Sequence, residues 1–178
     1  AYFLDDIDGK ANGVAIYCKK MPKAIMTGLG FADFDMEGRY IQADFENLSV
    51  ACLLAPHAKA DDLAQQTRKN EFFELFGNHL QKVRNKRREF IICGNWQIAN
   101  SAADVQDSQK NGTTSGFLAE ERQWVNELLE SGYVDAFREV SSDHDEFSWW
   151  PDGERGKNGW RTDFHIISQG LKYAVDYG

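Results

Sequence analysis

Hydrophobic and polar positions alternate in short runs through the first third of the chain. Residues 13–18 and 24–29 are apolar runs separated by two lysines and a proline, a pattern that predicts a β-hairpin. Residues 40–45 alternate, and residues 48–55 are almost all apolar, so they predict another pair of strands joined by the turn at 46–47. This part of the chain is therefore predicted to form an antiparallel sheet.

The apolar spacing changes to a helical period further along. Large apolar side chains recur every three to four positions over residues 63–83 and again over residues 119–130, where Gly132 can end the helix. Further strands are predicted at residues 133–137, 147–150 and 163–168. Strands, helix, strand, helix, strands is an α/β order, which predicts two packed, mostly antiparallel sheets with helices outside. No repeat or linker is visible, so we predict one domain over residues 1–178.

Residues 90–100, FIICGNWQIAN, form the stretch with most chemical content. Apolar residues stop at Gly94, which predicts a buried strand that ends in a tight turn. Asn95 and Gln97 follow where the strand's end would open into a crevice. Taken alone, the stretch predicts only a strand that ends in a polar turn.

The same stretch resembles the Gly-Asp-x-Asn turn of the exonuclease III and AP endonuclease family, with Asn95 at the Asp position and Gln97 at the Asn position. Further blocks follow in family order: GRYIQADFENLSVACLLAP, GFLAEERQWVNELLESGYVDAFRE, FSWWPDG and NGWRTDF. The resemblance implies a four-layer αββα sandwich. It also places the family's Asn-x-Asn motif and metal-binding Glu before Ala1, and its Ser-Asp-His motif after Gly178, so the fold is expected to be incomplete at both ends.

Two functions follow from this resemblance. The blocks RREFIICG, FSWWPD and LLAP are most similar to the catabolite repression control branch, whose members keep the fold and lose the nuclease residues. That similarity implies a non-catalytic post-transcriptional regulator that acts with an Sm-like RNA chaperone on target mRNAs. The alternative is an exonuclease III-type AP endonuclease or 3′–5′ exodeoxyribonuclease of DNA repair, which acts on abasic or duplex DNA.

The residues at the family's catalytic positions favour the first interpretation. Magnesium prefers carboxylate ligands, and a general base must accept a proton, whereas Asn95 offers neither group. Gln97 adds a methylene to the family's amide, and Leu54 stands at the family's tyrosine position. Asp163 is retained, and with Arg161 it is expected to have a structural role. We therefore expect no catalytic residue, no metal site and no cofactor, with Mg²⁺ required only under the nuclease alternative.

Composition limits how the chain can contact nucleic acid. A net charge of −8 argues against binding by bulk electrostatics, so any contact must come from a local patch. Seven residues are predicted to contact nucleic acid or a protein partner: Lys82, Arg84, Lys86, Arg87, Arg88, Trp150 and Arg161. The simpler explanation for the five clustered cations is that they stabilise the end of the preceding helix.

The cysteines and the apolar runs indicate where in the cell the chain is expected to act. Cys18, Cys52 and Cys93 are far apart in apolar runs, which predicts buried thiols rather than a zinc site or disulfides. No secretory signal and no membrane-spanning run is visible in the sequence. We therefore expect a soluble cytoplasmic protein that makes no membrane contact.

Overall fold

Two sheets and three α-helices make up the computed structural model, which describes residues 1–9, 12–59, 61–151 and 153–177. The strands are β1 (Tyr2–Asp5), β2 (Gly13–Ile16), β3 (Ala24–Thr27), β4 (Tyr40–Asp44), β5 (Leu48–Leu54), β6 (Glu89–Asn95), β7 (Tyr133–Asp135) and β8 (Asp163–Ser168). The helices are α1 (Leu63–Arg84), α2 (Ala119–Glu130) and α3 (Ala136–Val140). Short 3₁₀ turns lie at Ala102–Asp104 and Gln169–Ala174.

The larger sheet has six strands in the order β3-β4-β5-β6-β8-β7. Within the described residues, β5 and β6 are the only neighbours that run parallel. Parallel neighbours need a long crossover, and α1 supplies it between these two strands. Strands β1 and β2 form a separate two-stranded antiparallel sheet. The prediction of an α/β sandwich with two mostly antiparallel sheets is therefore confirmed.

Helix α1 covers one face of the larger sheet and supplies much of the core. Phe72, Phe76 and Leu80 are at most 1% exposed and pack with Trp96, which follows β6. Asp62 caps the helix by accepting a hydrogen bond from the backbone N of Gln65 (2.9 Å). The helices predicted at residues 63–83 and 119–130 are confirmed, with a one-residue extension of the first. None of the described helices is long and apolar enough to cross a membrane.

The hairpin β1–β2 covers part of the opposite face. Val14 and Ile16 pack against Ile41 and Ala43 of β4 in a second apolar cluster. The hairpin lies over the β4–β5 side of the sheet. Farther along the same face, the β8 side chain of His165 is exposed. The hairpin therefore covers the β4–β5 half of this face, whereas His165 on the β8 half is exposed.

Three strand assignments made from the sequence are wrong. Strand β2 pairs with β1, and β3 pairs with β4, so residues 13–18 and 24–29 do not form a hairpin with each other. Residues 147–150 form only an isolated bridge between Trp149 and Trp160 instead of a strand. Strands β7 and β8 extend the large sheet and are not part of a second one. In each case the local pattern fits a strand, but the partner is chosen by distant residues.

Candidate functional site

Three of the positions singled out in the sequence lie in one row across the large sheet. In the parallel pairing of β5 and β6, Leu54 is opposite Asn95. In the antiparallel pairing of β6 and β8, Asn95 is opposite Asp163. Because strand neighbours lie about 5 Å apart, these side chains are adjacent. The structure thus brings together one apolar side chain, one amide and one carboxylate.

The turn after β6 is fixed by steric and hydrogen-bonding constraints. Gly94 has φ +140°, and a Cβ at this position would stand 1.9 Å from the carbonyl oxygen of Leu53, so only glycine fits. The Asn95 side-chain oxygen accepts from the backbone N of Gln97 (2.9 Å). Trp96 is 1% exposed and points into the core. Gln97 adopts a left-handed conformation, with φ +55°, which turns its side chain away from that core.

The retained acid Asp163 is exposed, and its carboxylate accepts no hydrogen bond from the residues that the structure describes. Only its backbone is held, because its N–H donates to Ser148 Oγ (3.2 Å). No hydrogen bond from the described residues therefore supports the structural role expected of this carboxylate. A free carboxylate beside an amide can accept protons or bind cations.

Arg161, two residues earlier, is 4% exposed and makes buried ion pairs. Its Nε donates to Asp104 Oδ1 (2.7 Å), and its Nη2 donates to Asp135 Oδ2 (2.6 Å). Arg138 adds a bond to the same Asp104 oxygen (2.6 Å). Burial alone would raise the pKa of Asp104, but the bonds and charges of the arginines lower it. The guanidinium of Arg161 thus faces inward, and its donors hold the start of β8.

Gln97 opens onto a cleft of about 450 Å³ next to this row. His57 Nδ1 lies 3.3 Å from Gln97 Oε1, a contact in which the ring N–H donates to the amide oxygen. Trp149 and Trp160 form another wall, with ring centroids 6.4 Å apart at 76°. Three charged side chains also line the cleft: Lys59, Asp107 and Lys110. Asp163 lines a different cavity, so the row and the cleft lie side by side.

Among the residues that line this cleft, Gln97 was singled out from the sequence, whereas His57, Lys59 and Lys110 were not. Among the tryptophans, Trp149 lines the cleft and is 43% exposed, whereas the predicted contact residue Trp150 is not part of its lining. Trp150 instead packs beneath Arg155, whose guanidinium lies 5.4 Å from the ring centroid. His57 directly follows the LLAP block, and this position just past a strand end was the available signal.

The basic cluster lies at the other end of β6 and divides into two groups. Arg84 donates to the carbonyl of Ser131, and Arg88 pairs with Asp44 (3.1 Å) and donates to the carbonyl of Phe45 (2.6 Å). Three exposed cations have no side-chain partner among the described residues: Lys82, Lys86 and Arg87. Arg84 and Arg88 are thus tied to neighbouring segments of the fold, whereas Lys82, Lys86 and Arg87 remain available for contact.

The donors at the row do not suit the Mg²⁺ that a nuclease would use. Asp163 is the single carboxylate in the row, and its neighbour Asn95 contributes a neutral amide. Across the described residues, no group of three or more His, Cys, Asp or Glu side chains could hold a metal. Mg²⁺ prefers several carboxylate or water oxygens in octahedral geometry. This part of the chain therefore does not provide a complete magnesium site.

Comparisons with known proteins identify relatives across nearly the whole chain. No protein-family model matches. Exodeoxyribonuclease III of Haemophilus influenzae is 30% identical over 184 residues, which cover 93% of this chain and 68% of that protein. An exodeoxyribonuclease of Bacillus subtilis is 30% identical over 169 residues, covering 93% and 66%. A DNA-(apurinic or apyrimidinic site) endonuclease of Dictyostelium discoideum is 31% identical over 180 residues, covering 98% and 50%. The chain thus spans between half and about two thirds of these relatives.

Solved structures support the same fold. A 3′ phosphatase from Neisseria, bound to a product DNA hairpin, superimposes with a TM-score of 0.77 at 23% identity, covering 85% of this chain and 60% of that one. An AP endonuclease from Archaeoglobus fulgidus gives a TM-score of 0.75 at 23% identity, with the same coverage. At this identity the likeness shows the fold alone.

These relatives overturn the functional interpretation drawn from the replaced residues. Proteins with nuclease names match over 93–98% of the chain, which contradicts a non-catalytic post-transcriptional regulator and favours the nuclease alternative. The assignment to the catabolite repression control branch, the Sm-like RNA chaperone and the mRNA targets have no support. The expectation that no cofactor is needed rested on that interpretation and loses its basis with it.

Proposed function

The chain belongs to the exodeoxyribonuclease III and AP endonuclease family, and from this premise we propose that it acts on DNA as part of a DNA-repair phosphodiesterase. The reaction would be cleavage at an abasic site or at a 3′ end. Support comes first from the extent of the similarity, which runs through helices α1 and α2 and the row of Leu54, Asn95 and Asp163.

The cleft beside the row is the part of the chain that we assign to DNA binding. The exposed ring of Trp149 offers a flat apolar surface on which a base or sugar can stack. Lys59 is exposed at the rim, and its ammonium can pair with a phosphate. His57 and Gln97 present polar atoms between these two features. Stacking and a few cationic contacts suit a chain whose overall charge is −8, because binding then depends on local geometry.

Asp163 is the group in the row to which we assign chemistry. It is the single carboxylate there, it is exposed, and the described residues leave its oxygens without a partner. In this proposal, Asp163 accepts a proton or orients a water beside the phosphate. The residues described here do not complete a magnesium site, so no step is assigned to the metal. The amide of Asn95 can donate a hydrogen bond to a phosphate oxygen but cannot carry negative charge.

A cleavage assay on duplex DNA with a central abasic site tests the proposal, with and without Mg²⁺. We expect the chain to bind this duplex and to release a shortened strand, and we expect Asp163→Asn to keep binding but to lose the product. Asp33→Asn, which removes an exposed carboxylate on the helix side, is the matched control and should leave cleavage unchanged. Binding without any product would overturn the hydrolytic part of the proposal, and no binding would overturn all of it.

A further inference from the structure

Lys69 is a buried charge that the proposed reaction does not use. It lies on α1 and is 1% exposed. Its Nζ donates to Glu121 Oε1 (2.6 Å) and to the backbone O of Gln97 (2.7 Å), with Ser115 Oγ at 3.5 Å. An ammonium has three donors, and each has an acceptor here. The side chain thus links α1, the turn after β6 and the segment that precedes α2.

Its partner Glu121 is equally well satisfied. Besides Lys69, Glu121 Oε1 accepts from Gln66 Nε2 (3.2 Å). Its other oxygen accepts from the backbone N–H groups of Gly116 (2.6 Å) and Leu118 (3.0 Å), so Glu121 caps α2 where Leu118 has no side-chain acceptor. Burial lowers the pKa of Lys69, and the charge and hydrogen bond of Glu121 offset part of that effect.

The pair holds one wall of the DNA-binding cleft. Gln97, Ser115 and Gly116 all line the cleft, and each is bonded to Lys69 or Glu121. Gln97 is in the left-handed region, which a residue other than glycine keeps only where its surroundings hold it. Two hydrogen bonds provide that restraint: Lys69 donates to the Gln97 carbonyl, and the Gln97 N–H donates to Asn95 Oδ1.

We propose that Lys69 and Glu121 are positioning residues for DNA recognition: they touch no substrate, but they fix where the Gln97 amide stands in the cleft. This inference rests on the proposed function for its ligand. Stability alone is a weak reason for such a pair, because apolar replacements of buried ion pairs are often neutral or stabilising. A specific reason for this buried ion pair is that a recognition site must hold its amide in place to within a fraction of an ångström.

Two variants separate positioning from folding. Lys69→Met keeps the length of the side chain but leaves the Glu121 carboxylate unpaired, so it can fail to fold. Lys69→Met/Glu121→Gln removes both charges and keeps an acceptor for the Gly116 and Leu118 amides. We expect the double variant to fold and to bind the abasic duplex about tenfold more weakly than the natural chain. Tyr133→Phe is the matched control, because it removes a buried hydrogen bond to the Leu80 carbonyl (2.8 Å) at the opposite end of α1.

Two measurements decide the outcome on the whole 178-residue chain. The first is affinity for the abasic duplex, which should fall in the double variant and stay constant in Tyr133→Phe. The second needs no DNA: the backbone amide resonances of Gln97 and Gly116 should shift in the double variant and keep their positions in the control. Unchanged resonances overturn the positioning role whether or not DNA binds, and unchanged affinity in a variant with shifted resonances overturns its link to recognition. If the natural chain binds no DNA but the double variant still shifts these resonances, the proposed function is overturned instead.

Discussion

Replacing Arg161 with methionine should lower the free energy of unfolding by about 3–5 kcal/mol, because it leaves the buried Asp135 without its cation and Asp104 with Arg138 alone. The Arg161 side chain is 5% exposed, and those of Asp104 and Asp135 are 1% and 5% exposed. Methionine fills much of the same space, so the loss comes mainly from charge rather than from a cavity. For a chain of this length the change corresponds to a drop in melting temperature of roughly 6–20 °C.

The pH dependence of this loss provides a second check. In the natural chain the pKa of Asp104 is lowered, so its contribution to stability is present above its ordinary pKa and is lost as pH falls through the lowered value. Without Arg161, the pKa of Asp104 must rise even though Arg138 still bonds it, and protonation in mild acid then relieves part of the uncompensated charge. We therefore expect the difference between variant and natural chain to shrink between pH 7 and pH 4.5.

Urea unfolding followed by tryptophan fluorescence at both pH values measures these quantities. Arg155→Met is the control, since Arg155 is an exposed arginine that packs over the ring of Trp150, and it should change stability by no more than about 0.5 kcal/mol. A loss below about 1 kcal/mol for Arg161→Met at pH 7, or a loss that grows as pH falls, would refute the reasoning that an uncompensated charge dominates.

Three further predictions concern other parts of the chain. Replacing Lys86 and Arg87 with alanine should reduce the slope of log affinity for DNA against log salt concentration by up to about 2. The unfolding free energy should change by no more than about 0.5 kcal/mol. An unaltered slope in binding titrations would exclude these two cations as a contact. Gly94→Ala should cost about 3 kcal/mol or more in urea unfolding, because the new Cβ meets the Leu53 carbonyl, and a loss under 1 kcal/mol would contradict the geometry. Burial, with a smaller effect from the neighbouring Cys52, raises the pKa of Cys93 to about 11. The rate of Cys93 alkylation by iodoacetamide should therefore rise about tenfold per pH unit between pH 8 and 10. A rate that reaches a plateau below pH 9 would disprove the raised pKa.

Local periodicity was enough to predict the helices and the central strands. Phe72, Phe76 and Leu80 recur at helical spacing, and the structure buries all three on one face of α1. The strand that leads to Gly94 was predictable because its apolar run stops at a glycine, the residue type that a tight turn favours. These signals lie within a few residues of each other, so no knowledge of the tertiary fold was needed.

Strand partners and the use of each polar side chain were not predictable in the same way. An alternating segment such as β2 fits any exposed edge, and its true partner β1 is selected by packing against β4 and β5. The residues Lys86 and Arg88 look alike in the sequence, yet one is free in the described part of the chain and the other pairs with Asp44. Lys69, on an otherwise ordinary amphipathic helix, gave no sign that it reaches across to Glu121.

The burial of Trp96 has a consequence for how this chain can diverge. Its ring is 1% exposed and contacts Phe76 of α1, Trp124 of α2 and Phe164 of β8, so it joins both helices to the sheet. The residues on either side, Asn95 and Gln97, direct their side chains elsewhere. One tripeptide therefore serves two purposes: its centre is tied to folding, while its flanks face the row and the cleft, so a substitution at Asn95 or Gln97 changes the site without opening the core.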